Sequence, residues 1–185
     1  MLKSFYLSIS VFLLTSIGCR QEDPVIPNEE ELITTMIYTL TPANGGTAVT
    51  FSFKDLDGDG GAAPEIKTAK LIKNTTYTGA LLLLNELVSP AGNINEEIEE
   101  EGQAHQFFFQ TTGNLAVTVQ YDDLDTHGNP IGLRSKLITS SASTGKLTIT
   151  LRHEPDKSAA GVVAGNITNA GGETDIEISF NVEVE

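Results

Sequence analysis

Thr174-Asp175-Ile176-Glu177-Ile178-Ser179-Phe180-Asn181-Val182-Glu183-Val184 places a large apolar side chain at every second position from Ile176 onward. Asp175, Glu177, Ser179, Asn181 and Glu183 fall between them. A period of two is the mark of an extended strand with one face against a core and the other in water. The same alternation recurs upstream. Val49, Phe51 and Phe53 share a parity in Thr47 to Lys54, as do Leu115, Val117, Val119 and Tyr121 in Asn114 to Tyr121. Leu32 to Thr41, Glu65 to Lys73, Thr75 to Leu87, His105 to Thr111, Leu133 to Ser140 and Lys146 to His153 complete a set of about nine strand-like runs. Ala80-Leu81-Leu82-Leu83-Leu84 is continuous rather than alternating, which predicts a strand covered on both faces.

The breaks between runs carry turn chemistry. Ala43-Asn44-Gly45-Gly46 predicts a hairpin, and Thr112-Gly113 a tight link. The glycine-rich Ser158 to Gly172 reads as a long loop, or a weak edge strand around Val162-Val163. Asn93 to Gly102 is the single helical segment expected, with Asn93 or Asn95 as its cap and Gly102 as its stop. Its like-charged pairs Glu96–Glu100 and Glu97–Glu101 oppose it, so it needs Ile94 and Ile98 to dock. Many short strands and almost no helix predict an all-β fold, an antiparallel two-sheet β-sandwich (Ig-like) with one short acidic helix. A β-barrel is the alternative that periodicity cannot separate from it.

The first nineteen residues are of another kind. A positive start at Lys3, an apolar run from Phe5 to Leu14, and small residues before Cys19 have the layout of a secretory signal. Ser16-Ile17-Gly18-Cys19 resembles the lipobox of bacterial lipoproteins, with Ser16 where that family prefers Leu. The resemblance implies a signal peptide over 1–18 and a lipid on Cys19. Arg20 to Glu31, RQEDPVIPNEEE, has two prolines, much charge and little to bury; 19–31 is read as a disordered acidic tether and 32–185 as the sandwich domain. Gln21-Glu22-Asp23 resembles the acidic signal that carries lipoproteins of the Bacteroidota to the outer leaflet of the outer membrane. Cys19 is the only cysteine, so stability rests on a core with no intramolecular disulfide.

The chain carries 11 Lys and Arg against 25 Asp and Glu, a net charge of −14. Loss of Lys3 with the signal would make it −15. That field repels phosphates and anionic lipid, which argues against nucleic acid and favours cations or basic proteins as partners. Solubility alone accounts for it equally well.

Within the domain, Asp55-Leu56-Asp57-Gly58-Asp59-Gly60-Gly61 spaces carboxylates alternately before a glycine, a pattern that converges oxygens on calcium. An EF-hand is excluded: its twelfth position is Ile66, and Pro64 interrupts the loop. An acidic loop between strands remains, with Asp55, Asp57 and Asp59 as calcium ligands or as an ordinary Asp/Gly turn. Asp122-Asp123-Leu124-Asp125-Thr126-His127-Gly128-Asn129-Pro130 is a second acidic loop, which Gly128 and Asn129-Pro130 already explain as a turn. Of the three histidines, His105 and His153 stand beside acidic segments, and imidazole with carboxylate is a first-row transition-metal set. No two histidines are close in sequence, so only the fold can assemble such a site. Glu96, Glu97, Glu99, Glu100 and Glu101 form either a solvated face or a docking face for a basic partner. Phe107-Phe108-Phe109 predicts a strand with aromatic residues on both faces, most simply one covered on both sides. No G-x-S-x-G elbow, H-E-x-x-H pair, phosphate loop or cysteine nucleophile is present, and no enzyme is expected.

Taken together, FKDLDGDGG, TTYTGALLLLNE, NINEEIEEEGQAHQFFFQ, YDDLDTHGNPIGL and LRHEPDK resemble a group of small lipoproteins of marine and soil Bacteroidota. Some members carry a label as type 1 periplasmic-binding-fold proteins, which are larger and alternate strands with helices, unlike this pattern. The resemblance implies a lipid-anchored ligand-capture or accessory binding module at the outer membrane, beside a TonB-dependent receptor. The alternative is an interaction module that docks a basic partner through its acidic surface.

Overall fold

The computed structural model describes residues 31–58 and 60–185. Cys19, the signal and the tether up to residue 30 lie outside the described residues, as does Asp59. The described strands form two antiparallel sheets that face each other and do not close into a barrel. The larger sheet runs β3-β2-β1-β4-β8-β7 through β1 (Thr35–Pro42), β2 (Val49–Lys54), β3 (Glu65–Lys67), β4 (Thr76–Asn85), β7 (Val117–Tyr121) and β8 (Arg134–Thr139), with the short β5 (Gly92–Asn93) on β4. The smaller runs β10-β9-β6 through β6 (His105–Gly113), β9 (Ser143–His153) and β10 (Glu173–Val184). The sandwich expectation holds.

Alternation decides which face each strand buries. On β10, Ile176, Ile178, Phe180, Val182 and Val184 are all buried, as their parity predicts. They meet Met36, Tyr38, Phe51 and Leu83 of the larger sheet in one continuous core. Gly79 on β4 leaves room for the Tyr38 ring of the neighbouring β1. A Cβ there would lie 2.5 Å from the Tyr38 hydroxyl, which shares a 2.7 Å hydrogen bond with Ser135 Oγ in the core.

Four expectations need correcting. The leucine run on β4 is not covered on both faces: Leu81 and Leu83 are buried, while Leu82 is 38% exposed on the open side of the larger sheet. The predicted strand Glu65 to Lys73 ends at Lys67. Its continuation crosses to the smaller sheet, where Leu71 N donates to Glu183 O (2.9 Å) and Glu185 N to Leu71 O (2.8 Å), a parallel bridge that covers the last residues of the β10 edge. Thr112-Gly113 belongs to β6 rather than to a link. The helix forms as α1 (Ile94–Glu100) with Ile94 and Ile98 buried, but neither asparagine caps it through its side chain. Asn95 instead lies along β4, accepting from Leu83 N and donating to Leu81 O, both at 2.8 Å. These bonds satisfy two strand-edge groups and seat the helix.

Ser158 to Gly172 is the loop reading, with two short 3-10 turns, Val162–Ala164 and Ile167–Asn169. It lies over the outer face of β6 and makes a second small core of Phe108, Val162 and Ala170. Phe107 is buried between the sheets and Phe108 beneath this loop, so the strand is covered on both sides.

Candidate metal centre

The two histidines named from sequence meet. His105 opens β6 and His153 closes β9, and the ladder pairs them directly opposite each other. Both share the inward parity of Phe107 and Leu151, so the rings turn into the sandwich, with centroids 4.7 Å apart. Two imidazoles at the end of a core require polar partners there. One comes from β10, where the register shifts between Thr174 and Ile176. This bulge leaves Asp175 as the extra residue and turns its side chain inward, although strict alternation would put it outside. Its Oδ1 lies 3.8 Å from His153 Nδ1, and the Asp175 side chain is wholly buried. The other partner is Glu31, just ahead of β1, whose Oε1 is 2.7 Å from His105 Nε2.

One ligand atom from each of Glu31, His105, His153 and Asp175 lies within 4.8 Å of the other three. The group spans both sheets: three donors sit on the smaller sheet, and Glu31 enters from the strand that heads the larger one. The Glu31 side chain is 6% exposed, and its Oε2 has no hydrogen-bond partner among the described residues. His105 is oriented from behind, its Nδ1 3.2 Å from Glu101 O beyond the end of α1. An Nδ1–H donated to that carbonyl presents Nε2 toward Glu31, the arrangement that fixes the tautomer of a ligating histidine. Burial pulls the His105 pKa down, but the Glu31 carboxylate, helped by the Glu101 carbonyl and the Asp175 charge, more than offsets this and leaves it raised. Burial pushes Glu31 up, but its hydrogen bond and ion pair with His105, together with a backbone hydrogen bond and the nearby His153, outweigh that and hold it below the usual glutamate range. Both shifts favour the charged forms, imidazolium against carboxylate, in the metal-free pair.

Two neutral imidazoles and two carboxylates would bind a divalent ion with no net charge left in the interior. Tetrahedral zinc takes such ligands at about 2.0–2.2 Å. Calcium prefers six to eight oxygens, so this donor set suits a first-row transition metal instead.

The other predicted site residues lie apart from this group. Asp55 Oδ1 accepts from Asp57 N and Gly58 N, and Asp57 Oδ2 from Ala62 N, so each aspartate spends an oxygen on the turn. The loop does share a cleft with Glu31 and Asp175. The second acidic loop is a structural lock. Asp123 accepts from Gly132 N (2.7 Å) and Arg134 N (2.8 Å). Asp125 accepts from His127 N, Asn129 N and the buried Lys157 ammonium. His127 is exposed. Glu96, Glu97, Glu99, Glu100 and Glu101 are all exposed on the outer side of α1, with Arg134 3.9 Å from Glu99.

Sequence reasoning missed Glu31 and Asp175. Glu31 is the last of three consecutive glutamates and reads as tether; Asp175 has the parity of an outward residue. Neither carries a local signal, because the bulge and the strand stacking place them.

Comparison with protein-family models, curated proteins and solved structures finds no match to this chain. Among the described residues no helix is long and apolar enough to cross a membrane.

Proposed function

We propose that this chain is an exported, lipid-anchored β-sandwich that binds a first-row transition metal, zinc foremost, through Glu31, His105, His153 and Asp175, and serves as a non-enzymatic capture module at the outer membrane. One observation carries the metal reading: four donors of the right chemistry, drawn from four separate segments, converge within 4.8 Å in a buried position. The address rests on the resemblance of the segment ending in Cys19 to a lipobox, and the association with a TonB-dependent receptor on the wider resemblance to Bacteroidota lipoproteins. Calorimetric titration of the full chain with zinc, beside His105→Ala and His153→Ala variants, tests the centre. Saturable 1:1 binding abolished or weakened at least tenfold by either variant is expected. Absence of heat and of a thermal shift with zinc, copper and cobalt would refute it.

A second reading is docking of a basic protein, favoured by the five exposed glutamates on and just after α1. It is distinguished by a salt-sensitive interaction that survives both histidine substitutions and fails when those glutamates become glutamine.

A further inference from the structure

The four donors are shielded from solvent: the side chains of His105 and Asp175 are 0% exposed, Glu31 6% and His153 7%. An ion needs a passage to reach them. A cleft of about 460 Å³ has Glu31 and Asp175 in its wall, with Phe53 and Ile176 beside them. Asp55 and Asp57 line the same cleft, and among the described residues every charged one lining it is acidic. Neither histidine lines it. An ion travelling this way meets the carboxylates first and the imidazoles last. The buried Oε2 of Glu31, unpartnered among the described residues, is an oxygen left for that arrival.

We infer that this cleft is the metal's way in, and that Asp55 and Asp57 form an outer pair that gathers hydrated cations for Glu31 and Asp175. The inference rests on reading the buried group as a metal centre. It gives the first acidic loop a purpose that its turn geometry leaves open. Asp55 and Asp57 each commit an oxygen to backbone N–H groups, so they are held in place on the loop while their charges remain. Hydrogen bonding from Ala62 N also holds Asp57 below the usual carboxylate range, which favours its charged form. A cleft lined by one sign of charge with apolar walls concentrates counter-ions and raises association rates by roughly 10- to 1,000-fold.

The test is stopped-flow binding of Co²⁺, followed by its visible absorbance, to the full chain at low and high ionic strength. Asp55→Asn with Asp57→Asn is the informative variant, because each asparagine keeps the oxygen that accepts the turn hydrogen bonds. Its association rate is expected to fall about tenfold at low salt, with the difference shrinking as salt screens the charges. Leu87→Trp, at a cleft residue 56% exposed, is expected to slow both association and dissociation while leaving affinity unchanged. Wild-type rates and salt dependence in both variants would overturn the inference while leaving the centre intact. Failure of the unaltered chain to bind Co²⁺ at all would overturn the metal reading itself.

Discussion

Replacing Lys157 by methionine removes a cation that joins three separate segments. Its ammonium donates to Gly102 O at 2.6 Å, to Asp125 Oδ2 at 3.0 Å and to Pro130 O at 3.0 Å. The side chains of Lys157 and Asp125 are only 7% and 1% exposed. Breaking a buried ion pair by removing one partner costs about 3–5 kcal/mol, chiefly because a charge is left behind. Two features of this pair move the expected cost toward the lower end. Asp125 keeps hydrogen bonds from His127 N and Asn129 N, so its carboxylate is not abandoned. Burial, the largest influence on Lys157, lowers its pKa despite Asp125, so the ammonium itself is held at some expense. A loss of roughly 3 kcal/mol is therefore expected for Lys157→Met. Asp125→Asn and the double variant complete a thermodynamic cycle, read by urea denaturation of the full chain. A coupling energy of about 1–3 kcal/mol is expected for residues in direct contact. If Lys157→Met costs less than about 1 kcal/mol, or the two changes are additive, the ammonium is not the lock described.

The Glu31–His105 pair gives the metal-free protein a pH signature. The raised His105 stabilises fully below its unfolded value near 6.5 and loses that contribution as pH climbs through the higher folded value. The lowered Glu31 stabilises above its unfolded value near 4.5 and loses it as pH falls through the lower folded one. The pair's contribution thus peaks between those limits; urea midpoints taken in chelator are expected to decline as pH rises past about 6.5, and Glu31→Gln to flatten that decline. An unchanged profile in the variant would refute the pairing. Gly172→Ala should cost about 2 kcal/mol or more, because φ is +66° and the new Cβ would fall 2.1 Å from His153 O. Gly171→Ala, at φ +60° with nothing within 4 Å, should cost about 1 kcal/mol, and equal thermal shifts for the two would refute the steric argument.

Much of the fold was legible because alternation is local. Ile176 to Val184 declared one buried face, and Val49, Phe51 and Phe53 another, before any partner strand was known. The leucine run on β4 misled for an instructive reason. A run of apolar residues states what a strand can bury, but not whether anything lies over its second face. Among the described residues, Leu82 has no covering layer comparable to the loop that shelters Phe108. The site was half legible. His105 and His153 drew notice as imidazoles near carboxylates, yet the acids that join them are not the sequence neighbours that raised the idea. Asn95 shows the same limit on a smaller scale: its residue type suits a helix cap, and its position beside β4 gives it strand-edge bonds instead.

From sequence alone came the strand faces, the single docked helix, the acidic surface and the two histidines as possible ligands, all properties of residue type and short-range period. The tertiary structure decided which strands neighbour which, and with that the pairing of His105 opposite His153. It also decided the bulge that turns Asp175 inward and the stacking that brings Glu31 from the head of the other sheet. Those placements depend on contacts between segments far apart along the chain, and no local pattern encodes a register shift or the depth at which a leading residue is buried.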